Sequence, residues 1–312
     1  MKTIVEERFP HRTFIKAVIT VPGLAEESYR VAIKAGAKEV GFDDAALLNE
    51  PSAAALAYSL EDKASNGDRV IVVDFGAACV EVSISIFQHR KLVVEAKKSE
   101  AVGGMHIDET MLEKVIQQLG AKFSSSAESK SRLRLACSEA KRKLCSDGEK
   151  STNVEADGCD PIVITLDDFN RWNEPHFEKV MSTITGAIWE KSLESSDFQH
   201  VMLVGGSSKI PQIMARVKAY FGRDIVDKLV NFFRFWIILN AVGSSNMAVD
   251  ADEAVVVGAT HQASQLFANA GEDDAPCLVD IASRNLGMQT FGGTMTPFIT
   301  QEMILPAVFS NM

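Results

Sequence analysis

The sequence predicts an α/β protein built as two domains or as one large two-lobed one. Three observations carry that reading. The length of 312 residues exceeds one ordinary domain. Short apolar runs of strand length alternate with longer stretches of helical spacing. Three small-residue turns, Gly76–Cys79, Gly103–Gly104 and Gly205–Gly206, follow apolar residues, and the last two precede helices.

Taken in order, residues 15–21 (IKAVITV) read as a buried strand ended by Pro22 and Gly23. Residues 26–37 have helical spacing, with Tyr29, Ile33 and the alanines on one side. Residues 45–48 are a short apolar run, and NEPSAAALAYSL follows as an alanine-faced helix with Pro51 near its start. SNGD (65–68) is a turn before the strand pair VIVVDFGAACVEVSISIF (70–87), and KLVVEAKKSEA pairs with the second of those strands. Residues 103–119 read as Gly-Gly followed by a helix. Residues 127–144 form an amphipathic helix with Leu133, Ala136, Cys137, Ala140 and Leu144 on one stripe. EADGCDPIVIT is a hairpin, and residues 166–193 are one or two helices after a capping Asp. Residues 201–221 are strand, Gly-Gly turn and a helix with Pro211 in its first turn; residues 250–267 are a last helix. GEDDA (271–275) is an acidic linker, and residues 277–309 look like β structure with a turn at Gly292 and Gly293. The large apolar side chains of 229–246 fit no neighbouring pattern and are too interrupted to span a bilayer.

The formal net charge of −10 argues against a nucleic-acid partner and against an anionic membrane surface. The first ten residues are too mixed and charged for a signal peptide. The five cysteines form no CxxC pair, and their odd number suggests free thiols in a reducing, cytoplasmic compartment. Scattered histidines without HxxxH make a zinc site an unpromising reading.

The stretch 70–87 leaves two readings open. A carboxylate, Asp74, stands at the mouth of a turn of tiny side chains, which suits a phosphate cradle with a hydrated metal. A tight hairpin with an Asp at its start explains it equally well. Gly-Gly before a helix attracts anions through free N–H groups. No GxxxxGK[ST] or GxGxxG occurs.

VITVP, LNEPSAAALAY, VVDFGAACVEVSI, VGGMHID, RLRLACSEAKRKL, VMLVGGSSKIP and DADEAVVVGA, in this order, resemble successive blocks of the nucleotide-binding domain of the 70-kilodalton heat-shock chaperones. The resemblance covers most of 1–228 and 249–306. It implies the actin-like two-lobed ATPase fold with ribonuclease H-like sheets, ATP or ADP and Mg²⁺ in the inter-lobe cleft, and unfolded polypeptide clients with J-domain or nucleotide-exchange co-chaperones as partners. By position it implies that Asp74 organises the hydrated Mg²⁺ and that Gly76, Ala77, Ala78 and Cys79 form a phosphate loop. Glu50 would lie near the attacking water, and Gly103 and Gly104 would form a second turn at the nucleotide. Ser138, Lys141, Arg142 and Cys145 would clamp the adenosine. Gly205, Gly206, Ser207, Ser208 and Lys209 would underlie it, and Asp252 would lie near the base. Pro22 and Arg30 would relay nucleotide state to the substrate domain.

Departures from the family pattern are as informative. Ala77 and Ala78 replace glycines, which predicts obstructed backbone approach and loss of φ > 0 conformations. Cys79 replaces threonine, a far weaker hydrogen-bonding group. Glu81 is one methylene longer than the family's carboxylate, Ser138 replaces a glutamate and Cys145 a serine, and Met105 and His106 stand where acidic residues are usual. The family's first phosphate loop, a second Asp and a catalytic Lys have no match. The expected organisation is a partial lobe I (1–62 and 249–271), lobe II (63–228), an insertion foreign to the pattern (229–248) and the start of a β substrate-binding domain (277–312). The expected function is an ATP-dependent folding chaperone with impaired hydrolysis. The alternatives are a non-catalytic scaffold for a co-chaperone or ribosomal partner, an incomplete gene product, or a sugar or acetate kinase of the same superfamily.

Overall fold

A computed structural model describes residues 2–59, 65–89, 91–123, 126–146, 149–222, 234–235, 247–248, 254–267, 277–282, 284–289 and 293–305. The helices are α1 (Lys2–Arg8), α2 (Glu27–Glu39), α3 (Glu50–Ser59), α4 (Gly104–Leu119), α5 (Ala127–Leu144), α6 (Leu166–Glu190), α7 (Pro211–Phe221) and α8 (Ala254–Phe267). The main strands are β1 (Lys16–Val21), β2 (Asp44–Asn49), β3 (Arg69–Phe75), β4 (Val80–Gln88), β5 (Lys91–Glu100), β6 (Ser151–Val154), β7 (Ile162–Thr165) and β8 (His200–Val204). Two-residue strands β9 (Arg234–Phe235) and β10 (Met247–Ala248) pair with each other, and β11 (Cys277–Val279), β12 (Leu286–Gln289) and β13 (Met295–Ile299) follow. Asp252, the linker 271–275, Gly292 and nearly all of 229–246 lie outside the described residues.

The centre of the molecule is a five-stranded sheet in the order β11-β5-β4-β3-β8. β3 runs antiparallel to β4 and parallel to β8, so it is enclosed on both edges. That explains why its sequence is a continuous apolar run instead of a polar alternation. Its side chains divide by the two-residue period of a strand. Ile71, Val73 and Phe75 pack with Val80, Val82 and Ile84 of β4 into a core closed by α4, α5, α6 and α7. Val70 and Val72 face the other way, against the alanines of α3 and against Ala254 and Val257 of α8. Ser83 and Ser85, on that second face of β4, are fully buried although polar.

The alanine-rich helix α3 has a structural purpose. Ala53 to Ala57 are completely buried, because α3 and α8 lie between the central sheet and the parallel pair β1–β2. A methyl at Gly258 would run into the carbonyl of Ala53, so the two helices touch at backbone distance. α2 covers the other side of β2.

Two local expectations need correction, and one open reading closes. The cap of α6 is Thr165, not an Asp. Its hydroxyl accepts from the N–H of Asp168 at 3.1 Å, and the Asp168 carboxylate accepts from the N–H of Thr165 at 3.4 Å. A reciprocal capping box satisfies two orphan donors where a lone Asp satisfies one. The segment 166–190 is one helix and not two, since Pro175 sits within it without ending it. The predicted hairpin begins earlier, with β6 at Ser151 antiparallel to β7.

Candidate functional site

The parallel register of β3 and β8 sets Asp74 beside Val204, so residues 75–79 and 205–209 leave the sheet side by side at the strands' carboxyl ends. Ligands of parallel α/β sheets bind at that end. The stretch 70–87 is both a hairpin and a turn with room at its mouth. Gly76 N–H donates to Cys79 O at 3.1 Å, while Ala77 and Ala78 are exposed.

The three turns meet through backbone contacts. Gly104 N–H donates to Gly76 O at 3.0 Å and Met105 N–H to Ala77 O at 2.9 Å. The Ser207 hydroxyl donates to Gly76 O at 2.9 Å, and that of Ser208 to Gly205 O at 2.7 Å. Gly205 lies at φ +82°, and a Cβ there would stand 2.6 Å from Asp74 Oδ1. A Cβ on Gly104 would stand 2.6 Å from the Ser207 hydroxyl, and one on Gly103 would strike Ala77 O. These glycines are therefore fixed by closeness, and Gly205 also by its left-handed conformation.

In the first turn the alanines keep to the conformations expected of them. Ala77 and Ala78 do not have positive φ, and neither does Gly76. The loop adopts a conformation open to any residue, so the methyls carry no backbone strain. The tight approach lies at Gly103, Gly104 and Gly205 instead.

Three carboxylates surround the mouth. Asp74, 9% exposed, has its carboxyl pushed up to about 7, first by burial and then by Glu50 and Glu81. Glu50, the first residue of α3, is raised by burial and by Glu81. Glu81 is raised by burial against the opposing pull of its backbone donors, Lys97 and Arg30. The Cys79 thiol is pushed up to about 12 by burial and by the same carboxylates, so it stays protonated at neutral pH. Among the described residues, no group of three His, Cys, Asp or Glu side chains is arranged to chelate a metal directly.

Glu81 joins the two halves of the fold. It accepts from Gly23 N–H at 2.8 Å and from Leu24 N–H at 3.4 Å, just beyond Pro22. The extra methylene noted in the sequence gives it that reach. Arg30 secures the same turn: its guanidinium donates to Pro22 O at 3.3 Å, Gly23 O at 3.2 Å and Asn49 Oδ1 at 2.6 Å. Asn49 Nδ2 and the Ser52 hydroxyl donate to Asp280, which pairs with the buried Lys97. Asn49 and Asp280 gave no signal in the sequence, because their partners lie tens to hundreds of residues away.

Lys141 comes to the turns: its ammonium donates to Gly104 O at 2.9 Å and pairs with Asp108 at 2.8 Å. Ser138, Arg142 and Cys145 follow the same helical face, Arg142 exposed and the others half-buried. Burial pushes the Cys145 thiol up to about 11. Gly206 and Lys209 are exposed, Ser207 and Ser208 buried. A separate cavity of about 490 Å³ between α5 and β6, lined by Glu139, Lys143 and Asn153, lies away from these turns.

A family model described as "Hsp70 protein" matches residues 1–231. The heat shock 70 kDa protein of Emericella nidulans is 28% identical over 310 residues, 96% of this chain and 45% of that protein. That of Penicillium citrinum is 28% identical over 304 residues, 94% of this chain and 56% of its own. One from Ajellomyces capsulatus is 29% identical over 306 residues, 94% and 41% respectively. The chain thus spans about half the length of the relatives it matches. The match covers the β1–β2 unit and strands β3, β4, β5 and β8 with the three turns, and on that ground the chain belongs to the Hsp70 family and has the actin-like ATPase fold of its nucleotide-binding domain.

Proposed function

We propose that this chain binds ATP or ADP with Mg²⁺ at the junction of the three glycine turns, as the nucleotide-binding part of an Hsp70-type folding chaperone, and that it hydrolyses ATP slowly. The observation that carries the reading is the meeting of Gly76–Cys79, Gly103–Gly104 and Gly205–Ser208 around Asp74. The residues fit the ligand on two counts. Ala77, Ala78 and Gly206 are exposed, so loop backbone lies at the surface where a polyphosphate needs close approach. The crowded carboxylates Asp74, Glu50 and Glu81, with raised pKa values, make a site short of positive charge. A divalent cation, when bound, neutralises phosphate and carboxylate charge together.

In this reading Asp74 holds the hydrated cation and Glu50 orients water. Gly205–Ser208 underlies the α-phosphate and ribose, with Lys209 beside it. Ser138, Lys141, Arg142 and Cys145 line the adenosine. Cys79 stands where the loop offers its side chain to the phosphates, and a protonated thiol donates only weakly there. Slow turnover follows from that weak donor. Pro22, Arg30 and Glu81 connect this site to Asn49 and Asp280, a route by which nucleotide state would reach the segment after β11. The proposed organisation is lobe I (1–62 and 249–271), lobe II (63–228), an insertion (229–248) and the start of a substrate-binding domain (277–312), with polypeptide clients and co-chaperones as partners and the cytoplasm as compartment.

Isothermal titration of the chain with ADP, with and without Mg²⁺, tests the binding. The expected result is Mg²⁺-dependent affinity on the order of micromolar. Absence of binding under both conditions refutes the reading.

A further inference from the structure

His106 is placed as a cap on one of the three glycine turns. It is the third residue of α4, and its Nδ1 accepts from the N–H of Gly103 at 3.1 Å. The other amides of the turn go elsewhere: Gly104 and Met105 donate to the backbone of the Gly76–Cys79 loop. Gly103 is buried, and its Cβ position is filled by Ala77 O, so its N–H has little alternative within the protein. The reverse half of the cap is backbone, His106 N–H donating to Gly103 O at 3.0 Å.

The bond fixes the chemistry of the ring. An Nδ1 that accepts leaves the neutral ring's proton on Nε2. A second proton must go to Nδ1, which then faces another donor and can no longer hold Gly103. A metal at Nε2 would have to displace the proton there, which argues against a metal role for the His106–His176 pair. The Glu, Gln or Asp that commonly fills this capping position would stay an acceptor at all physiological pH; a histidine does not.

The charged and titratable surroundings are few. From α6 the His176 ring approaches to 6.4 Å between centroids, with Lys179 near it. His176 is tied to the Thr110 hydroxyl at 2.8 Å, and burial, His106 and Lys179 hold it below the ordinary histidine value. On α4 itself, Asp108 is paired with Lys141, and Glu109 with Arg134, both of α5. The Gly76–Cys79 side presents the Ala77 carbonyl to Gly103.

We propose that His106 is a positioning residue for the nucleotide site whose hold on the Gly103 amide is released by protonation, so that polyphosphate binding and protonation of His106 favour each other. The inference rests on the nucleotide reading above. Protonation frees a buried N–H beside the phosphate loop and adds positive charge at the N-terminus of α4, both of which favour an anion. By linkage, affinity for ADP·Mg²⁺ then rises as pH falls through the histidine range.

The test combines two measurements on the full chain. In ¹⁵N-labelled protein, the Gly103 amide and the His106 ring are followed between about pH 6 and about pH 8, in wild type and in His106→Gln, which keeps an acceptor but cannot titrate. The expected result is a common midpoint for the two signals in wild type and no such transition at Gly103 in the variant. ADP·Mg²⁺ affinity is measured over the same range. The ratio of wild-type to variant affinity should rise about three- to tenfold toward the acidic end, and any titration of Asp74 cancels in that ratio. A Gly103 amide that ignores His106 titration, or a ratio that stays constant, overturns the proposal. Failure of ADP to bind at any pH, with Gly103 still following His106, refutes the nucleotide reading and leaves the proton-released cap standing.

Discussion

Asp74→Asn should make the ligand-free protein more stable and unable to bind nucleotide. The wild-type carboxyl is raised from 3.8 to about 7 in the fold, by burial and by two neighbouring carboxylates. The sign follows from linkage. A carboxyl raised on folding binds its proton more tightly in the native state than in the unfolded chain. The native state therefore keeps its full stability below pH 3.8 and loses it progressively as pH rises to about 7. A folded pKa one unit above the unfolded one costs about 1.36 kcal/mol once the group is ionised, so the full loss at Asp74 is about 4 kcal/mol. Asparagine is close in shape to the protonated acid and carries no charge to lose. The difference in unfolding free energy between variant and wild type should accordingly be small near about pH 4 and grow to about 3–4 kcal/mol near about pH 8. Urea denaturation followed by far-ultraviolet circular dichroism at a series of pH values measures it, each pair compared at equal pH. A difference that is flat with pH, or a variant less stable than wild type at the alkaline end, would refute the assignment of Asp74 as an uncompensated buried charge. Titration with ADP·Mg²⁺ completes the test, since a cation site that stabilises nothing when filled would have no reason to tolerate this cost. Mg²⁺ nucleotide should narrow the gap in stability by binding wild type and not the variant.

Other expectations follow from the turns and from the inter-sheet contacts. Gly205→Ala forces a methyl against Asp74 and an L-residue into φ +82°, and thermal unfolding should report a loss of about 1–3 kcal/mol with ADP affinity reduced at least about tenfold. Because Ala77 and Ala78 have no positive φ, the double change to glycine should leave ADP affinity within about threefold, whereas Cys79→Thr, which restores a hydroxyl, should raise single-turnover hydrolysis about tenfold or more. Arg30→Ala strips donors from Pro22, Gly23 and Asn49 and should cost about 1.5–3 kcal/mol in denaturant unfolding. Lys97→Met leaves Asp280 unpaired in a nearly buried site and should cost about 3–5 kcal/mol by the same measurement.

What the sequence revealed and what it withheld divide along a physical line. Strands β3 and β4, the helices α4, α5 and α7, and each glycine turn were legible because each is a local pattern: a two-residue alternation, an apolar stripe, a Gly-Gly before a helix. Asp74 was legible for the same reason, as a carboxylate closing an apolar run. The pair α3–α8 was only half legible. Its alanines announced close packing, but not that the helix lies between two sheets, since that depends on β1–β2 and β3–β8 being brought to opposite sides of it. Ala77 and Ala78 were read against the family's glycines as positions without φ > 0, and neither has a positive φ in this loop. A methyl is obstructive only where φ is positive or where another chain segment is close, and in this molecule those conditions hold at Gly205, Gly104 and Gly103. Glu81 shows the opposite case. It read only as a carboxylate one methylene longer than the family's, yet it spans to the amides of Gly23 and Leu24 and ties the β1 turn to the hairpin that carries Asp74. A carboxylate that bonds two backbone amides and sits opposite Asp74 in the β3–β4 register is able to transmit a change in charge at one to the position of the other. The residue that departs from the pattern therefore connects the hairpin that carries Asp74 with the Arg30–Asn49–Asp280 chain, and no periodicity or spacing in the sequence could have shown a contact between residues 58 positions apart.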